Sequence, residues 1–158
     1  MLDIWDFIKE VTMLYVTALT IHVLSVVIWI GGVAFVTLVT FPMILRMEKS
    51  LEMVMVFQGV EHRFGKIAKV MVILAGLSGL YLIFEKGLSL GVWIMIVLWV
   101  VYASLLFGLE KMIFKKLFSR PDKQADMKTV FNALQIFHWV VLGLSLFAIA
   151  AGIYAAHY

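Results

Sequence analysis

Apolar residues run through four long stretches of the chain, and polar residues gather between them. The first stretch reads from about Val11 to Phe41, broken only by Thr, Ser, His and Gly, with Pro42 predicted to end it. The second spans about 67–84, the third 88–109 and the fourth 130–154. A helix needs about 20 apolar residues to cross a bilayer, so each stretch reads as a membrane span. The first is too long for a hydrocarbon layer of about 30 Å at a rise of about 1.5 Å per residue, and has to tilt or protrude. The helix of the second stretch starts earlier, near Ser50, on an amphipathic lead-in through Leu51, Val54, Met55, Gln58 and Glu61-His62. The connections are then 46–66, 85–87 and 110–129, the middle one a tight hairpin with Gly87 placed to turn. Short antiparallel connections of this kind predict an all-α integral membrane protein: one domain over 1–158, a four-transmembrane-helix up-down-up-down bundle.

Composition supports that class. Of the 158 residues 64% are hydrophobic, and the mean hydropathy is +1.05. Soluble domains carry about 45–50% apolar residues. There is no cysteine, which removes disulfides, thiolate zinc sites, iron–sulfur clusters and covalently attached haem. A cleavable signal peptide is not expected. Asp3, Asp6 and Glu10 outweigh the lone Lys9 at the start, and the first apolar run is far longer than a signal core.

Charge sets the expected orientation. Arg46, Lys49, Arg63, Lys66, Lys69, Lys111, Lys115, Lys116, Arg120, Lys123 and Lys128 fall at one side of this topology, and only Lys9 and Lys86 at the other. Eleven against two predicts basic loops in the cytoplasm, both termini outside, and a bacterial-type inner membrane. The basic residues belong to span ends and not to a soluble module, so nucleic acid is excluded as a partner despite a pI near 9.2. The lipid bilayer is the expected partner, with anionic headgroups near 111–128. A homo-oligomer or a redox protein would be its protein company.

Small residues mark where helices meet. Ala75-x-x-x-Gly79 and Ala148-x-x-x-Gly152 are pairs that let backbones approach, and Gly31-Gly32 opens a notch for a partner side chain or a flat cofactor edge. Gly79-Leu80-Tyr81 and Gly152-Ile153-Tyr154 end the second and fourth spans alike, a weak repeat at an offset of 73. That offset maps His22 onto Met95 and Gly65 onto His138, so the repeat duplicates no histidine.

The pattern His22-x6-Trp29-x-Gly31-Gly32-x2-Phe35, with Phe41-Pro42 after it, Glu61-x-Arg63-Phe64-Gly65 and Gly76-x-x-Gly79, resembles small bacterial membrane proteins of the copper-resistance D (CopD) family. The resemblance covers the first two spans by motif and the last two by topology. It implies copper handling. The first-span His-x6-Trp is also similar to the HemJ type of protoporphyrinogen oxidase, which implies an association with haem. HemJ proteins carry a Pro-Arg pair and a further His after that Trp, where this chain has Val36-Thr37-Leu38-Val39.

Histidine within an apolar run is costly in lipid and marks a function or an internal partner. His22, His62 and His138 are the candidates, while the penultimate His157 reads as solvated. A b-type haem needs one or two neutral imidazoles and an apolar slot. His22 with Trp29 two turns on, and His138 between Phe137 and Trp139, form the leading pair, with Gly31-Gly32 at the slot. Depths counted from the span ends differ by about 8–16 Å, so His62 with His138 is the alternative pair. The expected role is electron transfer or haem/porphyrin chemistry. Copper is the second expectation, because imidazole and thioether suit it, and Met43, Met47, Met53 and Met55 cluster near the first basic loop. A simpler reading makes each imidazole a hydrogen-bond donor to a neighbouring helix and each Met a gap-filler. A non-catalytic accessory subunit is the third class. The spans read as free of Asp, Glu and Lys away from their ends, which predicts no proton-relay carboxylate, and no Walker, Rossmann or His-Glu-x-x-His motif occurs.

Overall fold

The computed structural model describes residues 4–46, 50–109 and 127–157. Among these every residue is helical except Arg46 and the turn at 87–89. The elements are α1 (Ile4–Phe35), a π-helical turn (Val36–Thr40), α2 (Phe41–Leu45), α3 (Ser50–Lys86), α4 (Leu90–Ser104), a second π-helical turn (Leu105–Leu109) and α5 (Met127–His157). Four helical segments are long and apolar enough to cross a membrane: Lys9–Leu45, Met55–Lys86, Leu90–Gly108 and Leu134–Tyr154. The basic segment at 110–126 and Lys49 lie outside the described residues.

Local chemistry explains the boundaries. Gly87 turns the chain with φ 83°, a left-handed conformation that glycine adopts without a Cβ clash. Ser89 then caps α4, its Oγ accepting the Val92 N–H at 3.3 Å. The start of α3 at Ser50 agrees with the amphipathic lead-in. Pro42 does not end the first helix, contrary to expectation. Proline lacks an N–H and clashes with the carbonyl four residues back. Here the preceding turn widens, the Phe41 N–H donating to the Val36 carbonyl five residues back, and Pro42 sits in the first turn of α2. The extra residue absorbs the proline and the helical path continues to Leu45.

Contacts run in opposite order along paired helices. From α1 toward α2, His22 meets Ala75, Gly32 meets Phe64, and Phe41 meets Phe57. Between α4 and α5, Met95 meets Gly152 and Tyr102 meets Val141 and Ser145. Lipid is as apolar as leucine, so close packing and interhelical hydrogen bonds hold such helices together. Three bonds of one kind do this among the described residues. His22 Nδ1 donates to the Ala75 carbonyl at 2.9 Å, Trp99 Nε1 to Val72 at 2.9 Å, and Tyr102 Oη to Val141 at 2.5 Å. Each ties a ring N–H or O–H to the backbone of the next helix.

Small residues make room for those rings. A Cβ on Gly76 would stand 2.5 Å from the Trp99 ring, and one on Gly79 would stand 3.1 Å from His22 Cε1. Ala75 is buried beside them. In the other hairpin, a Cβ on Gly152 would stand 3.2 Å from Met95 Sδ. The pairs His22–Gly79 and Met95–Gly152 are related by the same offset of 73, 22 to 95 and 79 to 152. The weak repeat in the sequence is therefore a repeat of contacts. Trp29 and Tyr102, also 73 apart, pack on each other edge to face with ring centroids 4.7 Å apart. The α1–α3 hairpin and the α4–α5 hairpin thus meet about a pseudo-two-fold axis.

Candidate functional site

On that axis lies a cavity of about 100 Å³. Twelve of its fourteen lining residues form six pairs 73 apart. Trp29 with Tyr102, Phe64 with Phe137, Val33 with Leu106 and Ala68 with Val141 make its apolar walls. The other two pairs are unlike, Glu61 with Leu134 and Gly65 with His138. Each hairpin thus supplies one ionisable group, a carboxylate from α3 and an imidazole from α5.

Glu61 reaches the cavity by helical spacing. Phe57, Glu61, Phe64, Gly65 and Ala68 fall at i, i+4, i+7, i+8 and i+11 on one face of α3. Its Oε2 atom is buried. This corrects the expectation of carboxylate-free spans: Glu61 and Lys69 both lie on the membrane-length helix Met55–Lys86. Sequence assigned Glu61 to a loop because α3 was counted from the unbroken apolar run at 67. The signal that finds it is the spacing of Phe57, Glu61, Phe64 and Ala68 on one face.

His138 is held on three sides. Its Nδ1 donates to the Leu134 carbonyl at 2.9 Å. A carbonyl only accepts, so the proton sits on Nδ1 and Nε2 keeps its lone pair. Phe41 lies against the ring edge to face at 4.8 Å, and Phe137 at 5.7 Å. The π-helical turn before Pro42 brings Phe41 to this place, fully buried. Tyr102 also lines the cavity, with its hydroxyl committed to Val141 and to Ser145 Oγ at 2.9 Å.

The other expected site residues lie elsewhere. His22 sits at the level of Ala75, Ser78 and Gly79, its Nδ1 2.9 Å from the Ala75 carbonyl and 3.3 Å from Ser78 Oγ. His138 lines the cavity with Glu61, Gly65 and Ala68. Ten to fourteen residues of α3 separate Gly65 from that upper level, roughly 15–20 Å. His22 and His138 are therefore too far apart to ligate one iron. His62, beside Glu61 in sequence, is turned about 100° away on the helix and is exposed, so the structure does not bring it to His138. Trp29 is buried at the cavity wall. The Gly31-Gly32 notch takes a side chain: Phe64 fills the place of a Cβ on Gly32, and Gly31 has open space beside it. Met43 and Met55 are exposed, and Met47 lies outside the described residues. No group of three or more His, Asp or Glu gathers among the described residues.

Compared with family models, curated proteins and solved structures, the chain finds no match.

Proposed function

We propose that this is a multi-pass membrane protein that binds a small transition-metal cation, copper foremost, in the axial cavity between its two hairpins. The observation that carries this reading is the convergence of His138 and Glu61 on one enclosed space of about 100 Å³. That volume suits a cation with a few waters, each water taking about 30 Å³. It does not suit a porphyrin, since pockets for drug-sized ligands run to about 300–1,000 Å³. Imidazole nitrogen with carboxylate oxygen favours first-row divalent ions, and Cu(II) stands at the top of their affinity order. The CopD resemblance of the first two spans favours the same metal. Two protein donors leave coordination positions open, as handling a cation requires and a closed structural site does not.

In this reading the helices cross a bacterial-type inner membrane up-down-up-down, with both termini outside and the basic loops cytoplasmic. The bias of Lys and Arg supports that orientation. The cavity then opens its polar pair toward the cytoplasmic half, because Glu61 and His138 lie near the Arg46 end of the bundle.

Metal analysis of the purified protein tests the proposal. Dialysis against Cu(II) should leave about one copper per chain at the cavity. Glu61→Gln and His138→Ala should each reduce it at least tenfold in affinity, and His62→Ala should leave it unchanged. A red protein with a Soret band, or equal copper binding in all three variants, would overturn the cavity as a copper site.

A further inference from the structure

We propose that His22 and Met95 form a second cation site, for a soft ion such as Cu(I), on the same axis about 10 Å beyond the Trp29–Tyr102 pair. It goes beyond the cavity reading and uses none of the cavity's polar residues.

The argument starts from position. His22 precedes Trp29 by seven residues, and Met95 precedes Tyr102 by seven. Seven residues are two helical turns, so each lies on the same face as its aromatic and about 10 Å along. The two aromatics touch, with ring centroids 4.7 Å apart. The faces of α1 and α4 that carry His22 and Met95 are therefore the faces turned to each other across the axis. Both side chains are partly buried.

The surroundings are built for two larger groups. Each rests on a glycine of its own hairpin partner, His22 on Gly79 and Met95 on Gly152. The neighbouring positions of α3 and α5 are Ser78 and Ala151, both small and each 8% exposed. Small residues on two of the four helices leave the layer to the imidazole and the thioether.

Donor chemistry names the ligand class. His22 Nδ1 is bound to the Ala75 carbonyl, so Nε2 keeps the lone pair. Anchoring one ring nitrogen on a backbone carbonyl is how metal-binding histidines are oriented. A neutral imidazole with a thioether favours soft Cu(I) over harder divalent ions. The cavity, with a carboxylate and no sulfur, has the opposite preference.

Competition with a colorimetric Cu(I) chelator under reducing conditions tests the site in the purified full chain. Met95→Leu conserves volume and should fold normally. It should weaken Cu(I) binding at least tenfold and remove the sulfur scatterer from the X-ray absorption spectrum of the Cu(I)-loaded protein. His22→Ala should weaken binding to the same degree. His138→Ala should leave Cu(I) binding intact while abolishing Cu(II) binding in the cavity. Met71→Leu, on α3 and away from this layer, should change neither. Unchanged Cu(I) affinity and unchanged sulfur scattering in Met95→Leu would overturn this site and leave the cavity reading standing. Loss of Cu(II) binding alone, with the Met95 effect present, would overturn the cavity and leave this site.

Discussion

The two hairpins share a skeleton and differ in what it carries. In the α1–α3 hairpin, three glycines receive rings: Phe64 at Gly32, Trp99 at Gly76 and His22 at Gly79. In the α4–α5 hairpin, Gly152 receives only the end of Met95, and a hydroxyl network of Tyr102, Ser145 and the Val141 carbonyl stands at the centre. At matched fully buried positions the first hairpin has Val72 and the second Ser145. Small residues at fixed spacing therefore set where helices touch, while the groups with chemistry are free to differ between halves. The first hairpin is held by tight ring-to-backbone fits, the second by looser fits and shared protons.

That contrast can be broken at single glycines. Gly32→Ala should be the most damaging, since its methyl would overlap the Phe64 ring inside a packed layer. Overpacking of this kind costs about 3 kcal/mol, visible as a lower melting temperature in detergent micelles. Phe64→Ala in the same chain should restore part of the loss. A melt unchanged by Gly32→Ala would show that the fit is not tight.

Polar pins come next. His22→Ala removes the bond to Ala75, and such interhelical bonds contribute about 0.6–2 kcal/mol. Met95→Leu, at the matching position, should cost less than about 1 kcal/mol, because it conserves volume and breaks no hydrogen bond. Equal destabilisation by the two substitutions would contradict the division between a pinned and a loosely fitted hairpin.

The smallest expected difference sharpens the comparison most. At Gly79 an alanine methyl meets a ring fixed by a hydrogen bond, with contacts of 3.1 and 3.3 Å. At Gly152 it meets the sulfur of a flexible Met at 3.2 Å. Alanine gains about 1 kcal/mol of helix propensity over glycine. Gly152→Ala should therefore be neutral or slightly stabilising, and Gly79→Ala destabilising by roughly 1 kcal/mol. Parallel thermal melts of the two variants decide it, and a larger loss at Gly152 would reverse the assignment.

Much of the frame was legible before any coordinates. Unbroken apolar runs revealed the helices long enough for a membrane, and the lead-in from Ser50 and the turn at Gly87 followed from amphipathic spacing and glycine chemistry. The repeat was visible in two Gly-x-Tyr endings, and it became informative only when contacts showed which residues it superimposes. Other features were hidden for physical reasons. Pro42 reads as a helix stop unless a wider turn precedes it, and nothing in Val36–Thr40 announces that turn. Glu61 reads as a loop residue because hydropathy averages over all faces of α3, including the outward Arg63 and Lys66. Periodicity reports the face of a histidine and not its depth, so His22 and His138 looked closer than they are. The cavity itself depends on four helices at once and has no local signature.

The unlike pairs on the axis have a consequence for how such a site arises. Two identical hairpins assembled as a symmetric dimer present every residue twice. A glutamate at position 61 would then face its own copy across the cavity, and two carboxylates in a small dry space resist ionising together. An imidazole in place of Gly65 would likewise come in twos, filling the room that one glycine leaves beside His138. Joining the halves into one chain lifts that restriction. A covalently fused pair can keep Gly79 with Gly152, and Phe64 with Phe137, as a common chassis, while one half carries the acid and the other the base. Fusion turns a mirror-like seat for two equal charges into a polarised seat for one.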